Sequence, residues 1–78
     1  MQNDLLLAFG QTIRRIRLSK SISQERFADM CDLHRTYISD IELGKRNISL
    51  ENIGKMANAF GLSISELFQE VESDASIL

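Results

Sequence analysis

The spacing of the apolar residues most constrains the fold, because these residues recur at intervals of three and four along almost the whole chain. Such spacing gathers apolar side chains on one face of an α-helix. No segment alternates apolar and polar residues as a strand would, and the sequence has no proline. The pattern predicts an all-α fold of five helices: over residues 4–19, after Ser23, over residues 35–43, after Ser49 and after Ser63.

The size and composition of the chain are those of one small globular domain. It has 78 residues, of which 44% are apolar. We assign residues 1–71 to the domain and residues 72–78, ESDASIL, to an acidic tail that we expect to fray. The single cysteine, Cys31, cannot form an internal disulfide, and we interpret it as a small core residue.

Several classes of function are disfavoured by the residues that the sequence lacks. It contains one histidine, no glycine-rich phosphate loop and no Cys/His cluster with metal-ligand spacing, so we expect neither an enzyme nor a metal, cofactor or small-molecule site. The longest apolar run, residues 5–9, is too short to cross a membrane, and the N-terminus does not have the form of a signal peptide. We therefore expect a cytoplasmic protein.

The charge of the chain is unevenly distributed. The net charge is −2, yet residues 14–46 hold eight Lys and Arg against five acids, while the rest holds Lys55 against six acids. The local field matters more than the total charge for binding a phosphate backbone, so the acidic total does not exclude a nucleic-acid partner. The alternative interpretation of these charges is an ordinary solvated surface.

The segment joining the second and third predicted helices has the most specific spacing in the chain. Ala28 is small where a second helix must approach closely, and Asp32 lies where the turn often requires a left-handed backbone. Leu33 is then expected to be buried, and Ile38 and Ile41 to anchor the third helix. This spacing is typical of a helix-turn-helix. His34 is a candidate cap for the third helix, and Gly44 is placed to end it.

Residues 10–70 resemble the lambda-repressor-like, Cro-type helix-turn-helix family, also called the XRE family. The matching stretch is SQERFADMCDLHRTYISDIELGKRNISLENI, residues 23–53, and its RTYISDIE and KRNISLE portions are most similar to the controller proteins of restriction–modification systems. The resemblance implies a five-helix DNA-binding domain and a transcription regulator. Antitoxin-type and phage-type autorepressors share much of the pattern and remain alternatives. A protein-interaction module without DNA affinity is a third hypothesis.

One face of the third helix is predicted to contact base edges in the DNA major groove. At 100° per residue, Thr36, Ser39 and Asp40 point away from the apolar face, and Arg35 begins the helix on its flank. An N-terminal Arg can donate two hydrogen bonds to guanine, and Thr suits either base type. Asp40 has three interpretations: it accepts a hydrogen bond from cytosine, it repels incorrectly docked DNA, or it holds Arg35 or Arg15 in position.

A second set of residues is predicted to contact the DNA backbone: Gln24, Tyr37, Lys45, Arg46 and Asn47. Gln24 begins the second helix, where backbone N–H groups attract phosphate, and the family's helix-two glutamine falls on the same position. Lys45, Arg46 and Asn47 directly follow the third helix, and Arg46 is a candidate for the minor groove. Tyr37 is equally compatible with a partly buried core edge, and Lys45 with a solvated charge.

Two charged residues are assigned to architecture rather than to DNA binding. Glu42 lies about 40° from Ile38 on the helical wheel, close to the core. A carboxylate in such a position destabilises the fold unless it has a partner. Arg17 has a similar border position on the first helix. The resemblance implies a buried Arg–Glu pair joining these two helices, and it maps onto Arg17 and Glu42.

The C-terminal helix is predicted to supply a homodimer interface. Its apolar residues outnumber what one small core needs, and one recognition helix discriminates few base pairs, so two copies on a near-palindromic operator are expected. The resemblance also implies homodimers built on the C-terminal helices. The residues that we assign to this interface are Ile64, Leu67, Phe68 and Val71.

Overall fold

The computed structural model describes residues 4–75, which form five α-helices and no strands. The predicted all-α, five-helix fold is therefore confirmed. The helices are α1 (Asp4–Ser19), α2 (Gln24–Cys31), α3 (Arg35–Glu42), α4 (Leu50–Ala59) and α5 (Ile64–Asp74). None of these helices is long and apolar enough to cross a membrane.

Serine caps set the starts of three helices, as the sequence predicted. The hydroxyls of Ser23, Ser49 and Ser63 each accept a hydrogen bond from the backbone N–H three residues later, which satisfies a donor that the helix itself cannot pair. Glu66 completes a capping box by accepting from the Ser63 N–H at 2.8 Å. His34 is the N-cap residue of α3, as predicted, although its side chain makes no cap hydrogen bond.

The core is formed where the apolar faces of all five helices meet. Phe27 of α2 stacks on Phe60 at the end of α4, with 4.5 Å between ring centroids. Cys31 is buried, as predicted, and burial raises the pKa of its thiol to about 11. The largest fully buried side chains are those of Phe27, Ile13, Ile38, Ile41, Met56, Leu67, Val71 and Thr12.

Gly10 marks the place where α1 and α3 come closest. A Cβ atom at this position would overlap the carbonyl oxygen of Ile41 and lie 3.0 Å from the Cα atom of Glu42. The two backbones can approach this closely only because residue 10 has no side chain. No local sequence pattern indicates a role for Gly10, although the close contact there fixes the position of α3 on α1.

The C-terminal segment differs from the prediction in two respects: its helix runs further, and the end of that helix is bound to α1. Helix α5 continues to Asp74, so the boundary after residue 71 falls inside a helix, and residues 72–74 are part of the domain. Arg15 of α1 donates to Glu70 at 2.6 Å and to Asp74 at 2.8 Å, and Thr12 donates to Asp74 at 2.9 Å. Residues 76–78, the end of the predicted tail, lie outside the described residues.

These bonds perturb the carboxyl at the end of α5. Desolvation by itself raises the pKa of the Asp74 carboxyl, but the hydrogen bonds from Arg15 and Thr12 outweigh it and hold that pKa below its usual value. The carboxylate is therefore stabilised in its charged form. The predicted acidic tail thus contributes a helix end that is tied to α1.

The predicted dimer interface was partly wrong, because two of its four residues are buried within a single chain. Leu67 and Val71 are 0% and 1% exposed within a single chain, so they have no surface to offer a partner. They complete the core because α5 lies across α1, where Phe9 and Phe68 have ring centroids 5.5 Å apart. Of the four predicted residues, only Ile64 is exposed, and Phe68 is half-buried.

The close approach at Gly10 predicts that adding one methyl group there destabilises the fold. We expect Gly10→Ala to lower the free energy of unfolding by about 1–3 kcal/mol, because the methyl group meets a backbone carbonyl that cannot rotate away. Gly54 in α4 is the matched control, since a Cβ there meets only Ile64 Cδ1 at 3.9 Å. Gly54→Ala should raise the same free energy by about 0.5–1 kcal/mol through helix propensity.

Urea denaturation of both variants at one protein concentration measures this difference. A Gly10→Ala protein as stable as the unsubstituted chain would show that α1 and α3 are not in such close contact.

Candidate nucleic-acid interface

The turn between α2 and α3 sets the angle at which α3 leaves the core. Asp32 has the predicted left-handed backbone, with φ 57° and ψ 45°. The N–H of Leu33 donates to the carbonyl of Ala28 at 2.9 Å, which satisfies an otherwise unpaired group at the end of α2. Ala28 is buried and the Leu33 side chain packs against the core. The predicted turn and the burial of Ile38 and Ile41 are thus confirmed, whereas Leu33, predicted to be buried, is only partly buried.

Helix α3 has a buried face and an exposed face. Ile38 and Ile41 are completely buried, which holds the helix on the core. On the other side, Arg35 and Thr36 are exposed, and Ser39 and Asp40 are partly exposed. The four residues predicted to contact base edges therefore share one accessible surface, although their role in DNA binding stays a prediction.

Tyr37 lies at the edge of this surface and interacts with two neighbouring segments. It is half-buried, and its hydroxyl accepts a hydrogen bond from Asn52 Nδ2 of α4 at 3.0 Å. The Arg46 guanidinium lies 5.1 Å from the centre of the tyrosine ring, a cation–π contact. Tyr37 thus packs at the core edge, as its alternative interpretation held, while its ring also positions Arg46.

Asp40 has a different partner from those considered in the sequence. Its Oδ2 atom lies 3.4 Å from Nε of Arg46, whereas Arg15 bonds to α5. Asp40 therefore does not hold Arg15, and no bond between Asp40 and Arg35 occurs in the described chain. Asp40 and Tyr37 together hold the Arg46 side chain beside the exposed face of α3.

A glycine ends α3 and begins the basic loop. Gly44 has a φ of 74°, and its N–H donates to the Ile41 carbonyl at 3.0 Å. The N–H of Lys45 donates to the Asp40 carbonyl at 2.9 Å, which completes a Schellman motif. Lys45, Arg46 and Asn47 follow directly and are all exposed. The predicted backbone-binding loop is thus accessible next to α3.

A buried ion pair joins the helices beneath this surface, as predicted. Arg17 Nε and Nη2 donate to the two carboxylate oxygens of Glu42 at 2.7 and 3.0 Å, with side-chain exposures of only 6% and 2%. Arg17 Nη1 also donates to the carbonyl of Ile22 at 2.7 Å. No buried side-chain nitrogen or oxygen in residues 4–75 lacks a hydrogen-bond partner.

Gln24 extends the ion pair to α2. Its Nε2 donates to Glu42 Oε1 at 3.0 Å, so one carboxylate receives hydrogen bonds from α1 and α2 at once. The amide of Gln24 therefore serves the architecture, and its predicted phosphate contact would use the second amide hydrogen. Asn52 and Gln24 acquire these structural roles through contacts between helices, for which local sequence patterns carry no signal.

A short helix fixed by a tight turn, with a polar outer face and an adjacent basic loop, defines a helix-turn-helix DNA-binding domain. The chain belongs to the helix-turn-helix family HTH_3, whose model matches residues 13–67.

Three similar proteins carry related names. Control protein C.BamHI of Bacillus amyloliquefaciens is 59% identical over 68 residues, covering 86% of this chain and 84% of that protein. Control protein C.MunI of a Mycoplasma species is 45% identical over 73 residues, covering 92% and 99%. The restriction–modification controller protein C.Esp1396I, solved as a tetramer with its natural 35 base-pair operator, is 30% identical with a TM-score of 0.86, covering 92% and 95%.

The buried pair predicts a large stability loss when one partner is neutralised. Glu42→Gln leaves the Arg17 charge without a counter-ion in a dry site, so we expect the free energy of unfolding to fall by about 3–5 kcal/mol. Glu25→Gln makes the same chemical change on the exposed side of α2. It should alter the free energy of unfolding by no more than about 0.5 kcal/mol. Thermal and urea unfolding measure both. An unchanged melting temperature for Glu42→Gln would contradict the assignment.

Proposed function

We propose that this protein is a homodimeric, sequence-specific DNA-binding regulator that controls restriction–modification genes from a near-palindromic operator in the cytoplasm. The observation that carries the proposal is the exposed polar face of α3 beside the Lys45–Asn47 loop. The similarity to control proteins, which reaches 59% identity, supports the restriction–modification role. The similar proteins named above are regulators rather than enzymes.

Base contacts are assigned to the N-terminal part of α3, which fits the width of the major groove. Arg35 extends from the first position of the helix and can donate two parallel hydrogen bonds to guanine O6 and N7. Thr36 can contact a thymine methyl, and Ser39 can donate or accept. Asp40, already near Arg46, can accept from cytosine with its remaining lone pairs.

Backbone contacts are assigned to the loop after α3 and to its neighbours. Lys45 and Arg46 supply charge, and Asn47 supplies an uncharged donor, all on exposed positions. Stacking on Tyr37 and the contact with Asp40 restrict the Arg46 side chain before DNA arrives, which lowers the entropy lost on binding. Phosphate contacts of this kind fix orientation and carry no sequence information by themselves.

The partner surface of the dimer is assigned to the start of α5 and the adjoining face of α4. Leu50 is 73% exposed and Ile64 is 44% exposed, both large values for apolar side chains. A Cβ on Gly54, one turn after Leu50, would lie 3.9 Å from Ile64 Cδ1, so Ile64 of α5 lies beside this part of α4. Half-buried Phe68 follows Ile64 on α5. This assignment replaces the one that included Leu67 and Val71.

Two alanine variants test the assigned DNA contacts. The test uses one duplex selected from a random pool for tight binding and one unrelated duplex. Arg35→Ala should reduce the difference in binding free energy between these two duplexes by about 1–3 kcal/mol. Lys45→Ala should weaken binding to both duplexes by the same factor, because a phosphate contact does not depend on the base sequence. Fluorescence anisotropy titrations supply the four affinities and the unsubstituted reference. An Arg35→Ala protein with full selectivity would remove α3 from base recognition.

The dimer assignment predicts the effect of one charge on the oligomeric state. The unsubstituted chain should sediment as a dimer at micromolar concentration, and Ile64→Glu should sediment as a monomer, because the charge is costly in an apolar contact. Glu at the first position of α5 suits the helix dipole, so the fold should persist. Leu18→Glu, at a leucine of α1 that is 52% exposed, is the control and should remain dimeric. A monomeric unsubstituted chain would rule out the proposed dimer.

A further inference from the structure

The three arginines of α1 differ in what they contact. Arg15 is paired with Glu70 and Asp74 of α5, and Arg17 is paired with Glu42 of α3. Arg14 is exposed and forms no ion pair with any described residue. The charge of Arg14 is therefore available to an external anion, whereas those of its two neighbours are neutralised by the protein itself.

Arg14 lies on the rim of a groove between α1 and α3. The groove has a volume of about 380 Å³, and its walls include Gln11 and Arg14 of α1, Gln24 of α2, Ser39 of α3 and Leu43, which directly follows α3. The Glu42 carboxylate also borders it, but the hydrogen bonds from Arg17 and Gln24 offset that negative charge. Arg14 thus gives this groove a net positive edge.

A second groove borders α3 on its other side. Its walls include Thr36, Tyr37, Arg46 and Asn52. At 100° per residue, Ser39 and Glu42 lie on one flank of the exposed face of α3, and Tyr37 lies on the opposite flank. Arg14 and Arg46 therefore stand on opposite sides of the same helix.

This placement matches the two walls of the DNA major groove. The groove admits one α-helix, and a sugar–phosphate backbone runs along each of its edges. A helix in the groove consequently has one strand of phosphates on each flank. Arg46, in the loop after α3, supplies a positive charge on one flank, and Arg14 supplies one on the other.

We propose that Arg14 binds a backbone phosphate on the strand opposite the one contacted by the Lys45–Asn47 loop. Gln11 and Gln24 line the same groove and can add uncharged donors to that strand. Arg14 in this role secures the docking of α3 without discriminating between bases. The inference rests on the proposed DNA-binding function, which it extends to α1.

Salt dependence of binding measures the phosphate contact directly. Each neutralised phosphate changes the slope of log affinity against log salt by about 0.9. For Arg14→Gln in a dimer, we expect the slope to become shallower by about 1.8, with the same change on a selected duplex and an unrelated one. Arg14→Lys keeps the charge and should keep the slope of the unsubstituted protein.

Arg26→Gln is the matched control. Arg26 is an exposed arginine on α2 that forms no ion pair with the described residues. It lies two positions beyond Gln24 and therefore points to a different side of the helix. The substitution removes the same charge, so an unchanged slope for Arg26→Gln is expected. A slope lowered equally by Arg26→Gln would attribute the effect to net charge and overturn the proposal for Arg14.

The outcomes separate this proposal from the function beneath it. Arg14→Gln with an unchanged slope, in a protein that still selects its duplex, would refute the phosphate contact and leave the regulator intact. An unsubstituted protein that binds no duplex at any salt concentration would refute the DNA-binding function itself. Arg14 is exposed and forms no ion pair within residues 4–75, so we expect the variants to have equal melting temperatures, which verifies that binding changes do not reflect unfolding.

Discussion

The position of α3 depends on one buried carboxylate. Glu42 receives hydrogen bonds from Arg17 of α1 and Gln24 of α2, so the last residue of α3 is joined to both helices that support it. Burying two charges is expensive, and the cost is offset only when geometry and additional hydrogen bonds are favourable. Here the two arginine bonds are parallel, and the Ile22 carbonyl accepts a third. Together with the contact at Gly10, this arrangement fixes α3 on the domain.

A helix held this way can present its remaining surface to a ligand. Ile38 and Ile41 use the inner face of α3, which leaves Arg35, Thr36, Ser39 and Asp40 accessible. The flanks carry cations of different kinds: Arg46 is restrained by Tyr37 and Asp40, while Arg14 forms no ion pair with any residue from 4 to 75. The acidic total charge does not oppose this role, since much of it lies in α5, where Glu70 and Asp74 pair with Arg15. Segregation of charge thus allows an acidic protein to offer a basic surface.

Much of the fold could be predicted because its determinants are local. Serine caps, the left-handed Asp32 and the apolar stripes depend on neighbouring residues, and the Arg17–Glu42 pair followed from the border position of each side chain and from the family resemblance. The errors concern contacts between distant elements. The apolar stripe of α5 does not tell which residues meet α1 and which remain exposed, so Leu67 and Val71 were placed in the wrong interface. Likewise, no residue near Gly10 in the sequence indicates that the carbonyl of Ile41 lies against it. Arg46 is only six residues from Asp40, but their contact depends on the path of the loop after α3, which the helical pattern does not predict.

Methylation interference tests most directly whether the exposed face of α3 enters the major groove. Guanine N7 lies in that groove, so methylating it at the bases contacted by Arg35 should prevent binding. We predict two symmetric clusters of interference about 34 Å apart, as a two-fold dimer requires, and their loss in Arg35→Ala. Binding that tolerates methylation of every guanine N7 but is blocked by methylation of adenine N3 in the minor groove would contradict the account.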